Sequence, residues 1–286
     1  MNAALALIRA AHFASAMLVF GVSAYRYTQP RAGIVPGSDS KLQPFVVAAM
    51  LVALVTQALW FGFVAAAMAG RSAAVLNPAV LHLVLFFTDF GVLWIWRFAF
   101  AVLLGAAVFF ARPGNPAALL LSAVFLASLS LTGHAAAGSG AVGALRGIAD
   151  ATHLLGGGIW LGGLIALSFD LKFGARDATM QTLRRFSAIA VPAVALVFVT
   201  GALNAFFTVP DWAALPGSRY GALLFAKLGF AAVMLVLALF NRLVLMPRLG
   251  AGDVRSARRI QISVAGELAS AAAVLLIVGV LGISPP

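Results

Sequence analysis

Apolar stretches close to 20 residues long recur from one end of the chain to the other, separated by short segments where proline, glycine and basic residues collect. Each stretch is long enough to cross a bilayer core of about 30 Å as a helix. The pattern predicts eight spans: 3–25, 42–69, 89–111, 116–137, 147–169, 183–207, 219–245 and 261–283. Pro30, Pro36, Pro78, Pro113, Pro116, Pro210 and Pro216 fall between them, where residues that cannot continue a helix belong. Pro192 lies inside the sixth span, where a kink is expected. Residues 78–88 are too short to span and read as a helix lying along the surface. No basic segment precedes the first stretch, and Tyr25-Arg26-Tyr27 follows it where a small-residue cleavage site would sit, so 3–25 reads as a retained helix.

Charge sets the orientation. Thirteen of the 19 basic residues fall on one side of this arrangement, among them Arg26, Arg112, Arg184, Arg242 and Arg258. Arg9, Arg71, Arg146 and Arg219 fall on the other, while Arg97 and Lys227 lie within spans. The basic side is cytoplasmic, which puts both termini outside. Composition agrees with an all-α polytopic membrane protein: 286 residues, 63% hydrophobic, 9% charged, with a mean hydropathy of +1.06. Soluble domains carry about 25% charged residues. The net charge of +11 belongs to loops at the lipid surface rather than to a nucleic-acid partner. With no cysteine, disulfides, thiolate metal sites and iron–sulfur clusters are excluded. No GxxxxGK[ST] loop is present, so the chain is not an ATP-driven pump on its own. Residues 1–286 read as a single membrane domain.

The two halves resemble each other. Thr88 to Arg97 and Ser218 to Lys227 both read [ST]-x-[FY]-G-x-L-x-x-x-[RK]. The second and sixth spans share Val-Thr-x-Ala-Leu around Thr56 and Thr200, and aligning the first and fifth spans places His12 on His153 and Gly21 on Gly162. Four spans separate each pair, which predicts a 4+4 parallel repeat of the kind transporters use.

All four histidines map to the outer side. His12 lies about 12 Å into the first span and His153 about 9 Å into the fifth, at the rise of an α-helix. His134 sits in the last turn of the fourth span and His82 on the surface segment. Imidazoles from several helices at one depth can converge on a cation or on haem iron; each can also simply hydrogen-bond to a neighbouring helix. Asp150 shares a helical face with His153, where it could orient the ring or ligate directly. Trp160 continues that face, and Asp89 at the mouth of the third span is either a further acidic candidate or a helix cap. Arg97, Lys227, Asn204 and Glu267 form a polar line through the bundle, as an ion pair or a proton relay.

The run Asp150-Ala-Thr-His153-Leu-Leu-Gly-Gly-Gly-Ile-Trp160-Leu-Gly-Gly-Leu164 resembles the signature of the CopD family of copper-resistance membrane proteins. So do Gly133-His134-Ala135, Arg184-Arg-Phe-Ser187, Thr200-Gly201 with Asn204, Tyr220-Gly221 with Lys227, and Asn241-Arg242 with Pro247. The ordered set covers nearly the whole chain. The resemblance implies an eight-helix protein of the bacterial inner membrane that moves copper, commonly inward, together with a separate periplasmic copper-binding protein of the CopC type. The family's transmembrane histidines carry over to His12, His134 and His153. A set poor in methionine and lacking cysteine suits Cu(II) or mixed ligation better than a purely soft Cu(I) route.

The expected function is therefore copper transport without enzymatic activity, with copper captured at His12, His134 and His153, assisted by His82 or Asp150. Two other readings use the same features: a membrane protein holding b-type haem between facing histidines, and a scaffold that docks a periplasmic copper protein. The topology is directly testable. Alkaline phosphatase fused after Pro286 is expected to be active and a green fluorescent protein fused there dark; the reverse pattern would invert the orientation.

Overall fold

In the computed structural model, described for residues 2–28, 36–132, 140–173, 179–209 and 211–284, the chain is helical with no strand among those residues. The helices are α1 (Asn2–Thr28), α2 (Pro36–Met68), α3 (Pro78–Phe87), α4 (Asp89–Phe110), α5 (Pro116–Ala127), α6 (Gly140–Phe173), α7 (Thr179–Thr208), α8 (Arg219–Phe240), α9 (Met246–Gly250) and α10 (Arg255–Leu281). A π-helical turn, Asn241–Leu245, joins α8 to α9. Seven stretches are long and apolar enough to cross a membrane: Ala3–Thr28, Ser38–Met68, Asp89–Phe110, Gly140–Phe173, Thr179–Thr208, Arg219–Gly250 and Arg255–Leu281. The remaining expected span, 116–137, is shorter among the described residues, where α5 runs into a 3-10 turn at Ser128–Thr132. Its last residues, His134 with them, lie outside the described set. Residues 78–88 form the short helix α3, and Pro192 lies inside α7 as expected.

Local chemistry explains where helices begin. Asn77 and Asn115 accept hydrogen bonds from the amides of Ala79 (3.0 Å) and Ala117 (2.7 Å), each with proline in the first helical turn, where a missing N–H costs nothing. The repeated [ST]-x-[FY]-G pattern is also a helix start. Thr88 Oγ1 accepts from the Gly91 amide at 3.0 Å, and Ser218 Oγ from the Gly221 amide at 2.9 Å. The glycine is required because a Cβ at Gly91 would lie 2.1 Å from the Val84 carbonyl oxygen, and one at Gly221 1.9 Å from that of Leu215. Asp253 precedes α10 and accepts from Ser256 Oγ at 2.8 Å; that bond holds its carboxyl below the ordinary range.

The bundle is organised on α1 and α6. Each packs against the other, α1 also against α2, α5 and α10, and α6 against α7 and α10. They cross in backbone contact. A Cβ on Gly21 would stand 2.0 Å from the Gly158 carbonyl oxygen, and one on Gly162 would stand 2.8 Å from that of Met17 and 2.6 Å from the Gly21 Cα. Between helices in lipid, such small-residue seams supply the packing that a hydrophobic drive supplies in water. Polar clamps tie the end opposite His12: Tyr25 and Ser38 both donate to Asp170, and Arg26 pairs with Asp39 at 2.6 Å. The outer faces of α7 and α8 remain apolar and exposed, Val199, Phe206, Phe225 and Val236 among them, as lipid contact demands.

The crossing is expected to limit stability. Gly162→Ala should cost about 1–3 kcal/mol through overpacking, read as a lower midpoint of thermal unfolding in detergent. Gly229→Ala, with nothing within 4 Å of the added Cβ, should cost nothing. Equal midpoints for the two variants would remove the crossing from the account.

Candidate functional site

His12 on α1 is fully buried. Its Nδ1 faces two oxygens of α2, the Ala53 carbonyl at 3.1 Å and Thr56 Oγ1 at 3.0 Å. Thr56 gives its own proton to the Val52 carbonyl at 2.6 Å. A carbonyl only accepts, so Nδ1 carries the hydrogen and Nε2 the lone pair. That lone pair is occupied: Arg97 Nη2 donates to it at 2.9 Å. Arg97, 1% exposed, also donates to the Phe125 carbonyl at 3.2 Å and to Ser128 Oγ. The ring lies edge-on to Trp60 and Phe125, and Arg9 lies over Trp60 at 4.4 Å.

His153 on α6 repeats the first part of this arrangement. Its Nδ1 faces the Val197 carbonyl at 3.0 Å and Thr200 Oγ1 at 3.2 Å, both on α7, and Thr200 donates to the Leu196 carbonyl at 2.5 Å. In each case the accepting carbonyl lies three residues before the threonine. Gly201 makes room for the ring, since a Cβ there would stand 3.2 Å from Cε1. The second part differs. Among the described residues no hydrogen bond reaches His153 Nε2. One turn earlier, Asp150 accepts from Asn204 Nδ2 at 3.2 Å, and Lys227 on α8 lies within electrostatic range of both Asp150 and His153.

The same alignment that pairs His12 with His153 pairs Arg9 with Asp150 and Trp60 with Asn204, and the α4/α8 motif pairs Arg97 with Lys227. Around His12 stand two guanidinium groups. Around His153 stand a carboxylate and one ammonium. An imidazole whose Nδ1–H is held by a carbonyl presents Nε2 with its ring orientation fixed, the arrangement that metal-ligating histidines use. His153 has that arrangement with a carboxylate beside it; His12 has it with Nε2 already taken.

The other expected residues are dispersed. His82 is exposed on α3, with its ring against Phe86 at 5.0 Å. Asp89 is exposed in the first turn of α4, which Thr88 caps. Among the described residues no three His, Asp or Glu side chains gather as a metal site, and His134 lies outside them. Glu267 makes no ion pair with Arg97 or Lys227. It is buried on α10 and accepts from Asn241 Nδ2 at 2.9 Å and Trp160 Nε1 at 3.4 Å. Thr56 and Thr200, the partners of both imidazoles, were visible beforehand only as part of a repeated Val-Thr-x-Ala-Leu.

Residues 1–144 match the family "Copper resistance protein D-like, N-terminal domain", and residues 180–281 match "Copper resistance protein D". Across almost its full length the chain is 30% identical to Copper resistance protein D of Pseudomonas syringae pv. tomato, covering 98% of this chain and 96% of that one. The chain belongs to the copper resistance protein D family. Within that similarity, Inner membrane protein YebZ of Escherichia coli is 29% identical over 98% of this chain and 97% of its own. Copper transport protein CutJ of Bacillus subtilis is 34% identical over 59% of this chain and 33% of its own length. No solved structure matches. The two copper resistance protein D stretches flank residues 145–179, which hold Asp150, His153 and Trp160.

The tautomers can be observed. In 15N-histidine NMR both rings are expected as neutral Nδ1–H forms, and Arg97→Leu should shift the Nε2 resonance of His12 while leaving that of His153. An Nε2–H tautomer at His153 would contradict the geometry.

Proposed function

We propose that this chain is a multi-pass protein of the bacterial inner membrane that transports copper inward without enzymatic chemistry. The family, and the relatives named for copper resistance, copper transport and the inner membrane, support that class of function. The observation that carries the site is the contrast between the two imidazoles. Copper is captured at His153 Nε2, with Asp150 beside it, and His134, a few residues upstream of α6, completes the ligand set. Imidazole and carboxylate suit Cu(II) at this step, and no cysteine is present to favour a soft Cu(I) route. His12, its Nε2 held by Arg97 and flanked by Arg9, joins the path only after Arg97 leaves; until then it is a structural tie between α1, α2 and α4. A separate periplasmic protein of the CopC type delivers the ion.

In this reading the chain crosses eight times, with both termini periplasmic. α5 and its 3-10 continuation supply about 28 Å at helical and 3-10 rises, close to the thickness of the hydrocarbon core. The halves are a parallel repeat in which α1, α2, α4 and α5 correspond to α6, α7, α8 and α10. The reciprocal Gly21/Gly162 contact and the matched His12/Thr56 and His153/Thr200 pairs support that correspondence.

Vesicles reconstituted with the protein and loaded with a copper-sensitive dye test the proposal. The wild type should take up copper, His153→Ala should fall to the rate of empty vesicles, and Asp150→Asn should lose about 10–100-fold, as supporting groups of metal sites do. Uptake unchanged in His153→Ala at equal incorporation would refute the assigned site.

A further inference from the structure

Glu267 is 1% exposed on α10, inside a stretch long enough to span the membrane. Both its carboxyl oxygens accept hydrogen bonds, and both donors are neutral: the Asn241 amide on Oε1 at 2.9 Å and the Trp160 indole on Oε2 at 3.4 Å. Charged groups on the neighbouring helices are engaged elsewhere. On α1, Arg9 packs at Gly282 and over Trp60, His12 faces α2 and Arg97, and Arg26 pairs with Asp39. On α6, Arg146 lies over Phe207, Asp150 and His153 face α7, Asp170 takes Tyr25 and Ser38, and Lys172 lies over Phe173. On α8, Lys227 faces Asp150 and His153, and Arg219 opens the helix 22 residues before Asn241, about 33 Å along the axis; on α10 the nearest basic residue, Arg259, lies eight residues before Glu267, about 12 Å along the axis. In the π turn Arg242 donates to Ser187, and on α9 Arg248 is exposed. Among the described residues nothing neutralises this carboxylate.

The surroundings decide what does. A hard metal cation takes about six oxygen ligands. Here two N–H groups already point at the carboxyl oxygens, and they would oppose a cation. A proton needs only one of those oxygens and removes the cost of a bare charge in an apolar medium. The neighbouring polar atoms are suited to both forms. Asn241 is placed by the π turn, which falls where Pro247 cannot donate a helical hydrogen bond, and such turns recur at functional positions. Asn241 Oδ1, and Ser263 Oγ one turn before Glu267, are buried without partners among the described residues. A half-turn of the Asn241 amide exchanges its donor for its acceptor, so it can meet a carboxylate or the O–H of a carboxylic acid.

We propose that Glu267 is a proton-binding site, emptied as the copper ion enters and refilled after it leaves, so that copper entry is exchanged for proton exit. The coupling part rests on the transport reading above; the proton site itself does not. The link is α6. Trp160 follows His153 by seven residues, two turns along one helical face and about 10 Å away. An arriving cation repels the proton from a Glu267 oxygen, and the carboxylate left behind offsets one unit of the incoming positive charge. The step is proton dissociation alone, with no change of oxidation state.

Two measurements separate the parts. In pH-difference infrared spectra of the protein in lipid, a protonated carboxyl C=O band that titrates and shifts in D2O is expected in the wild type and lost in Glu267→Gln. No such band, or a band unchanged in Glu267→Gln, would overturn the proton site. In vesicles carrying a lumenal pH dye, copper uptake should make the lumen more alkaline, and Glu267→Gln should lose that signal while binding copper as the wild type does; Glu267→Asp should retain it. Wild-type copper uptake without a pH change would overturn the coupling even where the band is present. Absence of copper uptake in the wild type would instead refute the transport reading, leaving the infrared result to decide the proton site.

Discussion

Away from water, a buried imidazole must find a protein partner for its Nδ1–H. Both described intramembrane histidines place it between a backbone carbonyl and a threonine hydroxyl of the adjacent helix. That constraint fixes the tautomer and the ring plane, and so determines which atom remains for chemistry. The proposed copper site depends on what Nε2 then meets. At His12 it meets a guanidinium, which saturates it and adds positive charge. At His153 it stands near a carboxylate and a lysine on a helix that packs chiefly against α10.

The close crossing of α1 and α6 sets these two sites on opposite sides of one seam. Because Gly21 and Gly162 bring backbones into contact, the faces carrying His12 and His153 are turned outward, towards α2 and α7. The parallel-repeat reading gives this asymmetry a meaning. On that reading two copies of one unit shared a histidine, a threonine and a basic residue, and the flanking position became Arg9 in one and Asp150 in the other. In the function proposed above, one copy serves as scaffold and the other as binding site. α8 contributes to both levels of the second half, with Lys227 near His153 and Asn241 at Glu267.

Much of the architecture was legible beforehand because it follows from hydropathy and helix-breaking residues. Seven of the eight predicted stretches are helices long and apolar enough to cross a membrane, and the [ST]-x-[FY]-G repeat proved to be a capping device whose glycine faces a carbonyl. Helix ends were less legible, since hydropathy registers the bilayer rather than the helix. α6 runs from Gly140 to Phe173, beyond the apolar part at 147–169. α5 gives way to a 3-10 turn where Ser128 and Thr132 bond back to the carbonyls of Phe125 and Leu129, a competition typical of hydroxyl side chains. Partners across helices were the least legible. Depth placed Arg97, Lys227 and Glu267 on one polar line, but rotation about the helix axes sends Arg97 to His12 and Glu267 to Trp160 and Asn241. Depth along an axis can be read from spacing; rotation about it depends on the packing of every neighbour.

The claim most exposed to test is that the two matched histidines have diverged, one to hold the fold and one to hold copper. Copper and iron per protein, measured by elemental mass spectrometry on copper-exposed wild type, His12→Ala and His153→Ala, address it directly. Copper that persists in His12→Ala and vanishes in His153→Ala is the expected result. Copper lost equally from both variants, or iron in its place, would contradict it.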